Sequence, residues 1–188
     1  MFHLLAMIVV ALSVGFGLSW YALTDGRLFG VLQAGPWAAW PDVGSAEPNP
    51  YTRAHLARVA GLQLGIGEGL QFTAAADSDG MPLTRDCTYR IQGKTPVAAF
   101  WTLSAIGPSG VNLARPDGTA TIRSTAIARS NDGAIVLYVG KRLAPLNWLE
   151  LTGNGPFSLV LTLYDTVVSS GISSAQTTMP AIIKEECL

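Results

Sequence analysis

Charged side chains are scarce in this sequence: Asp, Glu, Lys and Arg make up only 13% of its 188 residues, whereas hydrophobic side chains make up 49%. A share of about a quarter is usual for soluble domains. The formal net charge of −1 leaves no basic surplus to neutralise a phosphate backbone, so we expect no nucleic-acid partner. Two histidines and two cysteines leave almost no ligands for a zinc site, and we predict no bound metal.

Motifs for common enzyme chemistries are missing as well. The sequence contains no G-x-S-x-G, H-E-x-x-H, C-x-x-C or P-loop pattern. The glycine-rich stretch at 65–70 lacks a final glycine and precedes a predicted strand, so it is a poor match to a phosphate-binding loop. We therefore predict no catalytic residues and no cofactor, and an enzyme is the less favoured class.

The most informative segment is the apolar run at residues 2–23, which contains no Asp, Glu, Lys or Arg. As a helix it would be about 33 Å long, enough to cross a hydrocarbon core of about 30 Å. A cleavable signal peptide has a basic start and small residues before its cleavage site, whereas Trp20 and Tyr21 are bulky. We predict an uncleaved anchor in the lipid bilayer; the alternative is a helix buried against the domain, although a helix apolar on all sides argues against it.

The predicted organisation is an anchor at 1–23, a linker at 24–49 and a folded domain at 50–188. A short amino terminus before a long domain favours translocation of that domain. The expected location is therefore the bacterial inner membrane, single-pass, with the domain on the periplasmic side. Two tryptophans in the linker, Trp37 and Trp40, either close the core of the domain or form an aromatic platform for a ligand, a partner or the membrane surface.

A short helix is predicted at 51–60, with Asn49 as its N-cap, Pro50 in its first position and Gly61 as its stop. His55 on this helix is predicted to be structural. The following sequence alternates between apolar and polar residues, as half-buried strands do. Six strands are predicted, the fourth and fifth as a hairpin joined through Asp132 and Gly133: 70–77, 87–92, 97–106, 120–129, 134–139 and 157–164. The predicted fold is mainly β, an antiparallel β-sandwich or jelly roll with one short helix.

Several motifs in this order resemble a known bacterial family. They are PWAAWP at 36–41, PYTRAHLARVAG at 50–61, GEGLQF at 67–72, DSDGMPL at 77–83, CTYRIQG at 87–93, AAFWTLSAIGPSG at 98–110, NWL at 147–149 and GPFSLVLTLYD at 155–165. The set is similar to the family called domain of unknown function twelve-fourteen, over about 35–165. The resemblance implies the β-sandwich part of longer two-domain proteins, in a short membrane-anchored form with a protein partner and no established activity. Ile106–Pro108, Glu150 and Thr166 depart from the family pattern, which puts a shared ligand site near them in doubt.

Candidate site residues fall into a few groups. Glu68, between two glycines, is the first acid to consider for a carbohydrate-active hydrolase, with an aspartate from a turn as its partner; the alternative is an ion pair with Arg53 or Arg90. Trp101, Asn147 and Trp148 suit a saccharide or a peptide, and Trp148 could equally close one end of the sandwich. The full set of candidate ligand-binding residues is Trp37, Trp40, Tyr51, Arg53, Glu68, Trp101, Asn147 and Trp148.

Cys87 and Cys187 form an even pair in a chain expected outside the reducing cytoplasm, so a disulfide and two free thiols are both open. The functional prediction is a membrane-anchored envelope protein that acts as a binding or assembly subunit with a protein partner. The alternatives are a hydrolase that uses paired carboxylates and a carrier of a small apolar ligand inside the sandwich.

Overall fold

The computed structural model describes residues 2–25, 31–59, 64–65, 67–166 and 178–187. Helix α1 comprises Phe2–Asp25, and its stretch His3–Tyr21 is long and apolar enough to cross a membrane. Every side chain from His3 to Tyr21 is exposed. The helix is therefore not a core element of the domain, contrary to the buried-helix alternative.

The remaining described residues form two β-sheets and one further helix. The first sheet has the strand order β1-β2-β3-β9-β5-β6 and the second has the order β10-β4-β7-β8. Neighbouring strands are antiparallel, except that β7 and β8 are parallel. The prediction of a mainly β, sandwich-like fold is confirmed. The first sheet comprises β1 (Leu32–Ala34), β2 (Trp37–Ala39), β3 (Gly69–Ala74), β5 (Ala98–Ile106), β6 (Thr121–Arg123) and β9 (Ser158–Thr166); the second comprises β4 (Cys87–Gly93), β7 (Ile135–Gly140), β8 (Asn147–Glu150) and β10 (Ala181–Cys187).

The core lies between the inward faces of the two sheets. Alternate residues of each strand point to the same side, so β3 contributes Phe72 and β5 contributes Leu103, while β4 contributes Tyr89 and β7 contributes Leu137. These side chains are at most 1% exposed. Burial of a large apolar side chain stabilises a fold by roughly 1.5–3 kcal/mol, so the alternation alone explains why the sheets stay together.

Helix α2 comprises Pro50–Val59 and begins as predicted. The Asn49 side-chain oxygen accepts hydrogen bonds from the backbone N–H groups of Tyr51 at 3.0 Å and Thr52 at 2.9 Å. The Asn49 amide in turn donates to Asp42 Oδ2 at 2.8 Å. The cap satisfies two N–H groups that the helix cannot satisfy itself. The predicted stop, Gly61, lies outside the described residues.

The predicted linker is partly wrong, because residues 32–39 form β1 and β2 and belong to the domain. Ala39 pairs with Phe72, which adds both strands to the first sheet. Trp37 is fully buried, and its indole N–H donates to the carbonyl oxygen of Pro180 at 2.8 Å. The large apolar surface of this tryptophan is buried only when β1 and β2 join the sheet, so its burial stabilises the hairpin in that position.

The predicted hairpin of 120–129 with 134–139 is also wrong. β6 pairs with β5, with Leu103 opposite Ile122, whereas β7 pairs with β4 in the other sheet. The turn at Gly133 does form, at φ +79°, but it is flanked only by the isolated bridge between Arg129 and Ile135. The chain crosses from one sheet to the other here because pairing with β5 buries Ile122 in the core.

Besides β1 and β2, two more strands lie outside the six predicted segments. Asn147–Glu150 form β8, parallel to β7. The carboxy-terminal segment Ala181–Cys187 forms β10 beside β4. β8 is too short, and β10 too highly charged beyond Ile183, to show a period of two over several residues.

Candidate functional site: a groove on the outer face of the second sheet

The outer face of the second sheet carries aromatic side chains on neighbouring strands. Tyr138 of β7 and Trp148 of β8 are directly paired in the parallel register and are half-buried. Their chain neighbours Val139 and Leu149 point into the core, so Tyr138 and Trp148 face away from it. The Trp148 indole N–H donates to the carbonyl oxygen of Gly140 at 3.1 Å, which fixes the ring against the sheet.

Residues 141–146 connect these two strands. Because β7 and β8 are parallel, this connection must return from the end of one strand to the start of the other. It forms one wall of an open groove of about 430 Å³. Two leucines of the connection are unusually exposed, Leu143 at 81% and Leu146 at 75%. The groove is lined by Thr88, Tyr138, Arg142, Leu143, Ala144, Pro145, Glu185 and Glu186.

Leu146 has a backbone φ of +65°, an uncommon conformation for a residue with a Cβ atom. The next residue, Asn147, holds this geometry in place. Its amide donates to the carbonyl oxygens of Ala128 at 2.9 Å and Val136 at 2.8 Å, and its side-chain oxygen accepts from the Ala128 N–H at 2.8 Å. A strained residue that displays an apolar side chain to solvent is a feature often found at functional sites.

Ion pairs neutralise the charge on one side of the groove. Arg142 pairs with Glu186 at 3.2 Å. Arg90 pairs with Glu185 and also donates to the side chain of Gln92. The hydrogen bond to Glu185 raises the pKa of Arg90 above its usual value. With its charges compensated in this way, the groove suits a neutral or apolar binding partner better than a highly charged one.

Three of the candidate ligand-binding residues are buried, a position that does not favour contact with a ligand. Trp37 and Trp101 lie in the core, Trp101 at 2% exposure. The Trp101 indole N–H lacks a hydrogen-bond partner in the part of the chain that the structure describes, and the Arg129 guanidinium lies 5.8 Å from the centre of its ring. Asn147 is also buried, and it uses its amide on the backbone. These positions were chosen by residue type, which does not distinguish a core tryptophan from a surface one.

Trp40, Tyr51 and Arg53 lie around helix α2 and do not line the groove. The Trp40 ring stacks on His55, with ring centres 4.2 Å apart. Burial, and secondarily the charge of Arg58, lower the pKa of His55 below its ordinary value. The Arg53 guanidinium donates from Nε to the carbonyl oxygen of Pro48 at 2.8 Å.

Glu68 does not form the predicted ion pair. Its carboxylate is exposed and accepts a hydrogen bond from the Gly65 N–H at 3.3 Å, within its own turn. Arg90 is engaged with Glu185 instead. The turn at 65–68 brings the glutamate oxygens close to its own backbone, which makes this local hydrogen bond easier to form than a distant ion pair. Within the described residues, no three His, Cys, Asp or Glu side chains are grouped to hold a metal ion.

Cys87 and Cys187 face each other in the register of β4 and β10. The structure joins their sulfur atoms in a disulfide bond, with Cα atoms 3.9 Å apart. The bond attaches the last strand to a strand in the interior of the second sheet.

Sequence analysis missed the residues that define the groove: Leu143 and Leu146 on the connection, Arg142 beside them and Tyr138 beneath. A signal was present, because Leu143, Ala144, Pro145 and Leu146 form an apolar run between two predicted strands. Loops are usually polar, so such a run is a reason to expect a surface patch.

The protein therefore consists of an apolar helix followed by a two-sheet β domain, and the domain carries an open groove lined by both apolar and charged side chains. A family model described as "Protein of unknown function (DUF1214)" matches residues 68–168. The match covers more than half of the chain, and the chain belongs to this family. No curated protein matches it.

Two solved structures are similar to this chain, and the first of them supports the fold. The VPA0106 protein from Vibrio parahaemolyticus has a TM-score of 0.59 and 21% identity, over 76% of this chain and 36% of that one. An uncharacterized protein from Burkholderia cenocepacia has a TM-score of 0.40 and 16% identity, over 62% of this chain and 29% of that one. The chain thus spans about a third of the length of these solved proteins.

Proposed function

We propose that this protein is a membrane-anchored binding subunit of the bacterial envelope. Helix α1 crosses the inner membrane once, and the β domain lies on the periplasmic side, where it binds a partner protein. The observation that carries the proposal is the exposure of α1. The stretch His3–Tyr21 contains no Asp, Glu, Lys or Arg and is 0% buried, and a predominantly apolar helix of this length is far more stable in lipid than in water.

The disulfide supports the periplasmic side. Disulfides persist in oxidising compartments such as the periplasm and are rare in the cytosol. The bond between Cys87 and Cys187 closes a separation of 100 residues. A domain that depends on this bond would be less stable in the cytosol.

The groove supports binding rather than a purely structural role. Leu143 and Leu146 are both more than 70% exposed, and isolated exposed leucines are ordinary, but here they adjoin a groove that contains Tyr138. The solved protein from Vibrio parahaemolyticus that shares this fold is about twice as long as this chain. We propose that a partner protein occupies the groove.

Site-specific photo-crosslinking tests the proposed binding surface. A photoreactive amino acid at Leu143 should give a discrete crosslinked protein in intact cells, because Leu143 lines the groove. The matched control is Val111, another exposed apolar residue in a turn, at 63% exposure. The substitution Leu146→Asp should abolish the product at Leu143, since a carboxylate would have to be desolvated at the interface.

Equal products from Leu143 and Val111, or a product that survives Leu146→Asp, would contradict binding at the groove. Isolation of the chain without any partner would do the same. We do not propose the hydrolase, because the Glu68 carboxylate is exposed and hydrogen-bonded within its own loop, and the contact of Asp165 with Glu68 is a backbone hydrogen bond. Nor does a specific observation favour a saccharide or a small apolar ligand within the sandwich.

A further inference from the structure

A cluster of aromatic and basic side chains lies where the membrane helix meets the domain. This junction cluster comprises Trp20 and Tyr21 at the end of the apolar stretch of α1, and Tyr51, His55 and Arg58 of α2. The Arg58 guanidinium lies over the Trp20 ring, 5.6 Å from its centre. This cation–π contact places α2 beside the end of the membrane helix.

The α2 residues of the cluster share one face of the helix. Tyr51, His55 and Arg58 are spaced by four and three residues, so they follow one stripe along its surface. The other side of the helix packs on the domain, where Thr52 is fully buried. The helix Pro50–Val59 contains two arginines and no acidic residue, so the helix itself carries a net positive charge.

The position of this α2 stripe relative to the bilayer follows from the point at which the apolar stretch of α1 ends. Trp20 is 67% exposed and Tyr21 is 50% exposed. Aromatic residues at the end of a membrane helix favour the boundary between hydrocarbon and water. Because Arg58 contacts the Trp20 ring, the stripe on α2 should lie at the same level, among the lipid headgroups.

We propose that α2 lies on the bilayer surface and that the Arg58 face binds the phosphate groups of phospholipid headgroups. The inference depends on the membrane anchoring proposed above. Its support is the continuity of the lipid-exposed surface of α1 with the basic face of α2. The guanidinium group suits this role, because its planar set of N–H donors matches phosphate oxygens and its plane stacks on aromatic rings.

His55 is placed to support the helix rather than to bind lipid directly. Trp40 covers its ring by stacking at 4.2 Å, with the ring planes 16° apart. Burial and the neighbouring Arg58 lower its pKa, so the imidazole is neutral at physiological pH. The positive charge of the stripe therefore comes from Arg58.

The orientation of the domain follows from the strand order. Trp40 comes directly after β2, which runs antiparallel to β3 and ends opposite Phe72. Because Trp40 stacks on His55, α2 lies at the end of the sandwich where β3 begins. Ser109 follows the last residue of β5 at the opposite end, because β3 and β5 run parallel on either side of β9. If α2 lies on lipid, Ser109 points away from the bilayer.

A depth measurement on the full chain tests this arrangement. Ala57→Cys introduces a thiol on the exposed side of α2, and a fluorophore attached to it without reductant leaves the disulfide intact. The chain is reconstituted in nanodiscs of phosphatidylcholine with 30% phosphatidylglycerol and lipids spin-labelled on the headgroup. Quenching at residue 57 should exceed quenching at the matched Ser109→Cys site by at least twofold.

Charge variants identify the group that holds α2 on the surface. Arg58→Glu should lower the quenching at residue 57 by about half or more, since one arginine near an anionic surface changes local occupancy on the order of fivefold. The control Arg123→Glu makes the same charge change at an exposed position on β6 and should leave the quenching unchanged.

Flotation of the nanodiscs or vesicles separates the two proposals. Failure of the full chain to float with lipid would contradict both the anchor and the headgroup site. Flotation with equal quenching at residues 57 and 109 would keep the anchor and overturn the headgroup site. Equal responses to Arg58→Glu and Arg123→Glu would likewise overturn it, because the contact would then not depend on Arg58.

Discussion

The disulfide between Cys87 and Cys187 should contribute a large share of the stability of the domain. A cross-link over 100 residues restricts the unfolded chain, and the chain-entropy model gives about 4.7 kcal/mol for a loop of that length. Native domains are stable by only about 5–15 kcal/mol. We expect the double variant Cys87→Ala, Cys187→Ala to lose most of the calculated amount, because antiparallel pairing of β4 with β10 remains but the constraint on the unfolded chain does not.

Urea unfolding in detergent micelles measures this effect. With a slope near 2 kcal/mol per molar urea, the loss corresponds to a decrease in midpoint of about 2 M. Trp37 and Trp101 are buried, so tryptophan fluorescence reports the transition. Reductant should lower the midpoint of the natural chain to that of the double variant and should not affect the double variant itself.

An unchanged midpoint in the double variant would refute the reasoning. So would free thiols at both positions in a nonreducing peptide map of the natural protein. In either case the support that the disulfide lends to a periplasmic location would also be lost.

Three further perturbations test contacts elsewhere in the domain. Asn147→Ala should lower the free energy of unfolding by about 2–4 kcal/mol, because it leaves several buried backbone groups unpaired, whereas Asn131→Ala in an exposed turn should have little effect. The pKa of His55 is lowered in the folded state, so the neutral imidazole favours the folded domain. This contribution to the free energy of unfolding should be fully present above pH 6.5 and should be lost as the pH falls toward the folded pKa. The substitution His55→Gln should remove this component of the pH dependence. Gly69→Ala should cost about 3 kcal/mol, because its Cβ would lie 2.0 Å from a backbone oxygen of β9, whereas Gly67→Ala meets no atom within 4 Å.

Chemical denaturation of each purified variant measures all three effects. Equal stability of Asn147→Ala and Asn131→Ala would contradict the structural role of the buried amide. A pH dependence between 5 and 7 that persists unchanged in His55→Gln would assign that dependence to other groups. If Gly69→Ala left the free energy of unfolding unchanged, β3 and β9 would approach each other less closely than the structure shows.

Local signals in the sequence predicted local structure well. Asn49 and Pro50 predicted the start of α2, and the uninterrupted apolar run predicted α1. Period-two alternation located six segments that contain strands, because strands such as β4 and β7 bury alternate residues. These features depend on residues close together in the chain, which is why they could be identified without the fold.

The errors came from contacts between distant parts of the chain. Asp132 and Gly133 correctly indicated a turn, but the pairing of β6 with β5 was decided by burial of Ile122 against the first sheet. The position of β10 beside β4 likewise depends on tertiary contacts, including the hydrogen bond from Trp37 to Pro180. Trp101 and Asn147 were chosen for their chemistry, but packing made them core residues, whereas Leu143 and Leu146 reach the surface only because β7 and β8 are parallel.

Protease accessibility of the domain tests the central proposal most directly, namely that α1 anchors the domain on the periplasmic side of the inner membrane. The experiment compares spheroplasts with inverted inner-membrane vesicles from bacteria that produce the full chain. We expect protease to remove the domain in spheroplasts and to leave it protected in inverted vesicles, with the chain resistant to carbonate extraction in both. Protection in spheroplasts, with digestion in inverted vesicles or release by carbonate, would contradict the proposal.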